Sequence, residues 1–237
     1  NYHKGEVLVY KRAADGSLSL ADKDVHTGSG PHENQASPRV HFTDLTPDKY
    51  LVTCDLGTDE VVTYDVSEQG QLTKINTYKS APGAGPRHIA FHPTQKIAYL
   101  MNELNSTIEV LIYDGVGQFT LLQTLSTLPQ DWTAFNGTAA IRVSSEGKFL
   151  YGSNRGHDSI AVYKILADGT LELIQIAATH GKMPRDFNLS SDERVIIAAH
   201  QDSDNVTTFF RDSTTGLLTE VQHDFIVPEA VCVYVKA

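Results

Sequence analysis

The sequence predicts an all-β protein, a β-propeller whose blades are four-stranded antiparallel sheets. One pattern recurs along the 237 residues: a strand, a tight turn, an apolar strand, a polar loop and a further strand. That further strand ends on an aromatic residue in four copies, at Tyr64, Tyr113, Tyr163 and Phe210. Successive aromatics are 49, 50 and 47 residues apart. A repeat of short strands with a period of about 50 residues is typical of propeller blades.

The elements of each copy follow from local chemistry. Strand A, the innermost, begins at Pro38, Pro86, Thr138 and Pro184. A turn rich in Pro, Asp, Ser or Gly leads to the apolar strand B, and a polar loop leads to strand C. The C strands are rich in β-branched and aromatic residues, and we expect them at 5–10, 60–64, 107–113 and 159–163. A hairpin with glycine connects C to the outer strand D.

The repeat predicts a single propeller domain over residues 1–237. The chain begins in a loop between strands B and C, and residues 229–235 have the pattern of a lone strand A. Propellers close their ring with a blade made of strands from both ends of the chain. We therefore expect about five blades plus a closing strand, with about two blades missing on the N-terminal side.

Composition narrows the classes of partner. The net charge of −10 argues against a nucleic-acid binder, which needs a basic face. Every apolar stretch is far shorter than the roughly 20 residues of a membrane span, so no membrane partner is expected. Cys54 and Cys232 lie in apolar runs and are expected to be buried free thiols in a reducing, cytoplasmic compartment. The sequence does not indicate an oligomeric state.

Two connections are longer than their counterparts. Residues 21–37 contain Gly28, Gly30 and Pro31, and residues 129–137 contain Trp132, the only tryptophan. Insertions in repeat proteins tend to lie on one face. Because both connections precede a strand A, we expect both on the same rim of the propeller.

In an antiparallel blade, the start of strand A and the loop between B and C lie on the same face. The starts of A supply Arg39, His41, Arg87, His88, Arg185 and Asp186. The loops between B and C supply Asp55, Asp59, Asn102, Glu103, Asn105, Asn154, Arg155, His157, Asp158, His200, Gln201 and Asp202. Converging arginines with a carboxylate and a histidine predict a site for a small anion with a base nearby. The aspartates of these loops are more often structural caps.

Other kinds of site have little support. No pair of Cys or His residues has a metal-ligand spacing, so we predict neither a metal nor a cofactor. No GxSxG elbow and no phosphate-binding loop occurs in the chain.

Several segments resemble the lactonase-type seven-bladed propeller family. These are residues 55–59, 83–93, 101–108, 153–160, 184–187 and 201–206. That family includes the 6-phosphogluconolactonases of the cycloisomerase-2 type and the fungal carboxy-cis,cis-muconate cyclases. The resemblance extends over essentially the whole chain and implies a seven-bladed ring.

The resemblance also implies site residues. The catalytic set falls on His41, Arg87, Glu103 and Arg155. We expect substrate-binding roles for His88, Asn102, His157, Arg185 and Gln201. Many relatives have Pro-His-x-His where this chain has Pro38-Arg39-Val40-His41, which puts a role for the first of those positions in doubt.

The implied reaction is the hydrolysis of 6-phosphogluconolactone to 6-phosphogluconate, a metal-independent step of the oxidative pentose phosphate pathway. We expect Glu103 or His41 to be the base, with Glu103 the first choice and His41 as proton shuttle, and Arg87 and Arg155 to stabilise the oxyanion or hold the phosphate. A cyclase that acts on a carboxylated muconate is an alternative, since the same arginines would bind carboxylates. A propeller that binds a protein partner without catalysis is the third possibility.

Overall fold

The fold is described from a computed structural model, which covers residues 1–236. Two 3₁₀ helices are present, Tyr2–Lys4 and Glu33–Gln35. Blade 1 has two strands, β1 (Glu6–Arg12) and β2 (Leu18–Val25). Blade 2 has β3 (Val40–Leu45), β4 (Leu51–Asp55), β5 (Glu60–Val66) and β6 (Leu72–Lys79).

The next three blades repeat this arrangement. Blade 3 has β7 (Pro86–Phe91), β8 (Ile97–Asn102), β9 (Thr107–Tyr113) and β10 (Phe119–Ser126). Blade 4 has β11 (Gly137–Val143), β12 (Phe149–Arg155), β13 (Ser159–Ile165) and β14 (Leu171–Ala178). Blade 5 has β15 (Pro184–Leu189), β16 (Val195–His200), β17 (Asn205–Arg211) and β18 (Leu218–Ile226). All pairings are antiparallel and follow chain order, so the predicted all-β propeller blades are confirmed.

The core lies between neighbouring blades. Strands β8 and β12, the B strands of blades 3 and 4, are buried over their whole length. At equivalent places on these strands, Tyr99 and Tyr151 donate hydrogen bonds to the carbonyls of Gly169 and Gly216, at 3.1 and 3.0 Å. Each of those glycines lies in the C–D hairpin of the following blade. The tyrosine hydroxyls thus satisfy backbone acceptors across the interface, as buried polar groups must.

The aromatic residue of the repeat was predicted at Phe210 in blade 5, and this position is wrong. Phe210 is 43% exposed, whereas Phe209 is buried. Phe209 pairs with Ile196 just as Tyr163 pairs with Leu150 in blade 4. The buried aromatic of blade 5 is therefore one residue earlier, because strand faces alternate with a period of two and only one member of Phe209–Phe210 can face the core.

Aspartates at the turn between B and C bind the connection to the next strand A in blades 2, 4 and 5, whereas blade 3 has Ser106 at that position. Asp59, Asp158 and Asp204 have φ of 60°, 54° and 55°, a left-handed conformation that aspartate tolerates. Their carboxylates accept backbone N–H groups from the connection to the next strand A: from Gly83 and Gly85, from Met183, and from Glu229. The structural role expected for Asp59 and Asp158 is confirmed.

Residues 229–235 do not form the predicted strand. The backbone N–H of Val233 donates to the Asp186 carboxylate at 2.9 Å, and the Asn188 side chain donates to the Val233 carbonyl at 3.2 Å. The segment follows the Asp204 turn, where the other blades place strand A, but its contacts there are with side chains. A ladder needs a neighbouring backbone in register, and among residues 1–236 none lies beside it.

Two further observations concern membrane-spanning helices and the two cysteines. Within the described residues, no helix is long and apolar enough to cross a membrane. Cys54 is buried as expected, but Cys232 is exposed, and both are free thiols.

Candidate active site at the propeller mouth

Strand A carries a β-bulge near its start in every four-stranded blade. In β3, β7 and β15 the backbone pairing skips one residue, which is His41, Arg87 and Arg185 respectively. A bulged residue leaves the ladder and its side chain is re-aimed. If the copies are aligned on Pro38, Pro86 and Pro184, Arg39 corresponds to Arg87 and Arg185. The bulges show instead that His41 occupies that place.

Glu103 lies at the centre of the candidate site, in the B–C turn of blade 3. Arg87 Nε donates to one carboxylate oxygen at 2.8 Å, and Arg155 Nη2 lies 3.0 Å from the other. Burial alone would raise the pKa of Glu103, but the positive charges of Arg155 and Arg87 outweigh it and hold the pKa below its ordinary value. Glu103 is therefore ionised at neutral pH, and both of its oxygens are engaged.

The two arginines are themselves fixed by backbone acceptors. Arg87 is 3% exposed and donates to the Ala139 carbonyl at 2.7 Å, which ties it to blade 4. Arg155 donates to the carbonyls of Gly137 and Thr138 at 3.2 and 3.0 Å. Burial and the nearby Arg155 lower the pKa of Arg87 to about 10, so it stays protonated at neutral pH. Two cations are thus held in place around one carboxylate.

His41 and His88 form a neutral pair beside this cluster. Their ring centroids are 5.4 Å apart, and His88 Nε2 accepts from Arg87 Nη1 at 3.1 Å. Burial, followed by the positive charge of Arg87, lowers the pKa of His41 to about 3 and that of His88 to about 2. The Nδ1 atoms of both rings are buried with no hydrogen-bond partner among the described residues. Both imidazoles are neutral across the physiological pH range.

A cavity of about 460 Å³ opens over these groups at the mouth of the central channel. Its lining comprises Tyr2, His3, His41, Glu103, Arg155 and Arg185. Arg185 has only one side-chain partner in the structure, a 3.4 Å contact with the Gln201 amide oxygen, so its charge is available to a ligand. We refer to this space as the channel cavity.

A second cavity of about 400 Å³ adjoins the channel cavity and shares Glu103 and Arg155 with it. Both long connections contribute to its wall, through residues 32–34 and 132–137. The prediction that they lie on one rim is confirmed. We refer to this space as the insertion cavity.

Four of the five predicted substrate-binding residues line neither cavity: His88, Asn102, His157 and Gln201. Asn102 is fully buried at the end of β8, and its amide donates to Thr107 in the same blade at 3.1 Å. His157 packs edge-on against the Trp132 ring, with centroids 4.6 Å apart, and its Nδ1 lies 2.8 Å from Ser159 Oγ. Asn102 therefore supports the turn that holds Glu103, and His157 supports the second long connection.

Tyr2 and His3 belong to the channel cavity, although they were not among the candidates. The Tyr2 ring meets His41 edge-on at 5.6 Å, and the Arg39 guanidinium lies 5.5 Å from its centroid. Both residues lie in the loop that precedes β1, which is the B–C loop of the first copy. The rule that such loops face the mouth, applied to that copy, would have identified them.

One further cluster of ligand-type side chains lies outside the mouth. His180, Glu220 and His223 are exposed, and their ligating atoms lie within 4.8 Å of one another. Two register shifts in the pairing of β17 with β18 bring Glu220 and His223 to the same side. None of the three lines either mouth cavity.

Taken together, the fold and the mouth define a β-propeller with arginines clustered around one carboxylate at its mouth. The comparison with known proteins gives its family: a family model described as "Lactonase, 7-bladed beta-propeller" matches residues 1–235, and the chain belongs to this family.

Relatives within the family support this assignment. A protein of Bacillus subtilis named 6-phosphogluconolactonase is 42% identical over 237 residues, which cover 98% of this chain and 68% of that protein. A Lactobacillus plantarum crystal structure matches with a TM-score of 0.96 and 48% identity, over 98% of this chain and 68% of the other. The Pseudomonas aeruginosa periplasmic gluconolactonase matches with a TM-score of 0.89 and 32% identity, over 94% of this chain and 64% of its own.

Proposed function

We propose that the site hydrolyses 6-phosphogluconolactone to 6-phosphogluconate. The observation that carries this proposal is the position of Arg87 and Arg155, two fixed guanidinium groups beside a neutral histidine that faces the channel cavity. The family supports lactonase chemistry, and the name of the Bacillus subtilis relative supports the phosphorylated substrate.

The arginines supply the electrostatic part of the mechanism. When water attacks the lactone carbonyl, negative charge develops on the carbonyl oxygen. Donors that are already fixed stabilise this charge without reorganising at the moment of reaction. Arg87 and Arg155 are fixed in this way, because backbone carbonyls hold both of them. Arg155 lines the channel cavity and is the proposed donor to the oxyanion, whereas Arg87 lines neither cavity and acts through its charge.

His41 is the proposed general base. Its imidazole is neutral, and the residue lines the channel cavity. Burial is the main cause of the low pKa of His41 and the charge of Arg87 is the second; the dianionic phosphate of the substrate offsets the arginine charge and so raises this pKa when it binds. A base whose pKa lies near the working pH is the most effective. Glu103, with both oxygens engaged, is assigned to holding the two arginines.

The proposed hydrolysis proceeds through a tetrahedral intermediate. The water oxygen bonds to the lactone carbonyl carbon while His41 accepts one water proton. The bond from that carbon to the ring oxygen then breaks, and the ring oxygen takes the proton from His41 to become a hydroxyl. The acid that forms loses its proton to solvent as a carboxylate. Apart from water, the proposed reaction uses only protein side chains, so it is metal-independent. We also propose that it takes place in the cytoplasm.

The first test is turnover by the intact chain, followed by ³¹P NMR with spontaneous hydrolysis subtracted. We expect acceleration with 6-phosphogluconolactone, and a loss of kcat of about 10²–10³-fold for Arg155→Gln, as for removal of an oxyanion donor. Arg12→Gln, an exposed arginine on β1, is the matched control and should leave kcat unchanged.

The alternatives make different predictions in the same assay. Faster turnover of carboxy-cis,cis-muconate than of the lactone would replace the proposal with a cyclase. A folded chain that accelerates neither reaction would contradict an enzymatic role and favour a binding scaffold.

A further inference from the structure

Most residues that line the insertion cavity are uncharged, and they include side-chain amides and aromatic rings. Side-chain amides come from Asn34, Asn105 and Asn136, and aromatic rings come from Trp132 and Phe135. Phe135 is 71% exposed, so its ring is accessible to a ligand. Amide groups beside aromatic rings suit a ligand that has hydroxyl groups on one edge and C–H groups on its face.

The charges of the two cavities differ. In the insertion cavity Arg155 is the only guanidinium among the lining residues, and it is already paired with Glu103, while Glu33 adds a second carboxylate. The channel cavity also contains Glu103, but it has two guanidinium groups, Arg155 and Arg185, beside the neutral His41. A phosphate dianion is therefore favoured in the channel cavity and disfavoured in the insertion cavity.

Hydrogen bonds fix the first long connection, residues 21–37, where it lines the insertion cavity. Gln35 is fully buried, and its amide donates to the Leu56 carbonyl at 2.8 Å and to the Asp59 carboxylate at 2.7 Å. A Cβ on Gly30 would lie 2.3 Å from the Gln35 side chain, so a larger residue there would displace this hydrogen-bonded amide. His32 caps the short helix through Nδ1, which accepts from the Asn34 N–H. Asn34 is therefore presented on a fixed turn.

Hydrogen bonds of Asn136 also fix the second long connection, residues 129–137. The Asn136 amide donates to Ser106 Oγ at 2.8 Å and to Asn154 Oδ1 at 3.2 Å, and its oxygen accepts the His157 N–H. The indole Nε1 of Trp132 is buried and has no acceptor among the described residues. An unpaired buried donor costs free energy that a ligand oxygen can recover.

We propose that the insertion cavity binds the hydroxyl-bearing carbons of the sugar acid while the channel cavity binds its phosphate. The reacting carbonyl then lies between the two, beside Arg155, the cation that lines both cavities. This inference rests on the proposed function for the reaction, and it assigns Trp132 and Asn34 to recognition of the hydroxyl groups. Arg185 is assigned to recognition of the phosphate.

Binding can be measured without turnover, because Trp132 is the only tryptophan in the chain and its fluorescence reports on the insertion cavity. We expect saturable changes in fluorescence with both gluconate and 6-phosphogluconate. Inorganic phosphate alone should leave the emission unchanged. Asn34→Ala should weaken the binding of gluconate about tenfold, and Gln69→Ala, an exposed amide remote from both cavities, should not.

Kinetics give a second readout that separates the two cavities. Trp132→Ala should raise KM by about tenfold for both 6-phosphogluconolactone and gluconolactone, with kcat nearly unchanged. Arg185→Ala should raise KM for the phosphorylated lactone alone. A Trp132 effect confined to the phosphorylated substrate would place the phosphate in the insertion cavity and overturn the assignment.

The two proposals can fail separately. If the chain turns over neither lactone yet gluconate still gives a saturable signal that Asn34→Ala weakens, the polyol site stands and the proposed reaction fails. If the folded chain hydrolyses the lactone but gluconate and 6-phosphogluconate leave the fluorescence unchanged, the reaction stands and the polyol site fails.

Discussion

At the scale of single residues, the mouth is organised by one carboxylate. Glu103 neutralises part of the charge of Arg87 and Arg155 and fixes where their donors point. A buried guanidinium without such a partner is strongly unfavourable, so the carboxylate also allows both arginines to be buried. The sequence pattern predicted these residues correctly as neighbours. It did not predict that both oxygens of Glu103 would be engaged, because that depends on side-chain geometry between blades.

The variants Glu103→Gln and His41→Gln distinguish their roles. We expect His41→Gln to lower kcat by about 10²–10⁴-fold, as for loss of a general base. Glu103→Gln removes the charge that competes with the substrate, so binding of 6-phosphogluconate should tighten while kcat falls less. Steady-state kinetics and product titration measure both effects. The opposite pattern, with kcat lost mainly in Glu103→Gln, would make Glu103 the base.

The lowered pKa of His88 gives a prediction for stability against pH. In the unfolded chain a histidine takes up a proton below about pH 6.5, but in the folded protein His88 does so only near pH 2. Between these values the unfolded state binds more protons, so stability falls as the pH falls. His88→Gln keeps an acceptor for Arg87. It should reduce the slope of the free energy of unfolding against pH by the contribution of about one bound proton.

Thermal unfolding followed by circular dichroism between about pH 6.5 and pH 4 measures the slope. His180→Gln, at an exposed histidine outside both mouth cavities, is the control. An unchanged slope in His88→Gln would show that His88 is not held neutral by the fold.

At the scale of elements, the bulges of strand A and the turns between B and C position every group of the site. The sequence predicts the strands well, since each has an apolar or β-branched run bounded by turn residues. The bulges were not predicted, because one extra residue in a strand leaves no local signal in composition. They place His41, and not Arg39, at the position that Arg87 has in the next blade. The end of the chain, 229–235, was misassigned for a related reason, since a strand pattern cannot show whether a partner backbone is present.

The turn at Asp59 offers a test at this scale. Its carboxylate accepts the N–H groups of Gly83 and Gly85 and the amide of Gln35. Asp59→Ala leaves these donors unpaired and should lower the free energy of unfolding by roughly 1–3 kcal/mol for each one that stays buried. Chemical denaturation measures the loss. Asp65→Ala, an exposed aspartate on β5, should change little, and equal effects of the two substitutions would contradict the role of Asp59.

At the scale of the whole molecule, each blade gains its core from its neighbours, so stability varies along the array. Strand β9 is a C strand with neighbours on both faces and is almost wholly buried. Strand β1 is a C strand in a two-stranded sheet, and its second half is exposed. The period of the repeat predicts the blades, but it carries no information about which of them is best covered.

Hydrogen exchange should reveal this difference directly. We expect the amides of β1 to exchange much faster than those of β9, because an isolated two-stranded sheet is marginally stable while a sandwiched blade opens only with the global fold. Mass spectrometry of peptides from the two strands makes the comparison within one sample. Equal protection of β1 and β9 would show that the described array unfolds as a single unit.

The bulges of strand A also bear on how such a fold changes its chemistry during evolution. A side chain in a regular ladder is constrained by its cross-strand neighbours, but a bulged residue has left the ladder. Blades 2, 3 and 5 place His41, Arg87 and Arg185 there, and blade 4 has the small residues Ala139 and Ala140. The same backbone thus accepts an imidazole, a guanidinium or a methyl group. Substrate preference can drift by substitution at these positions while the residues that hold the blades together stay untouched.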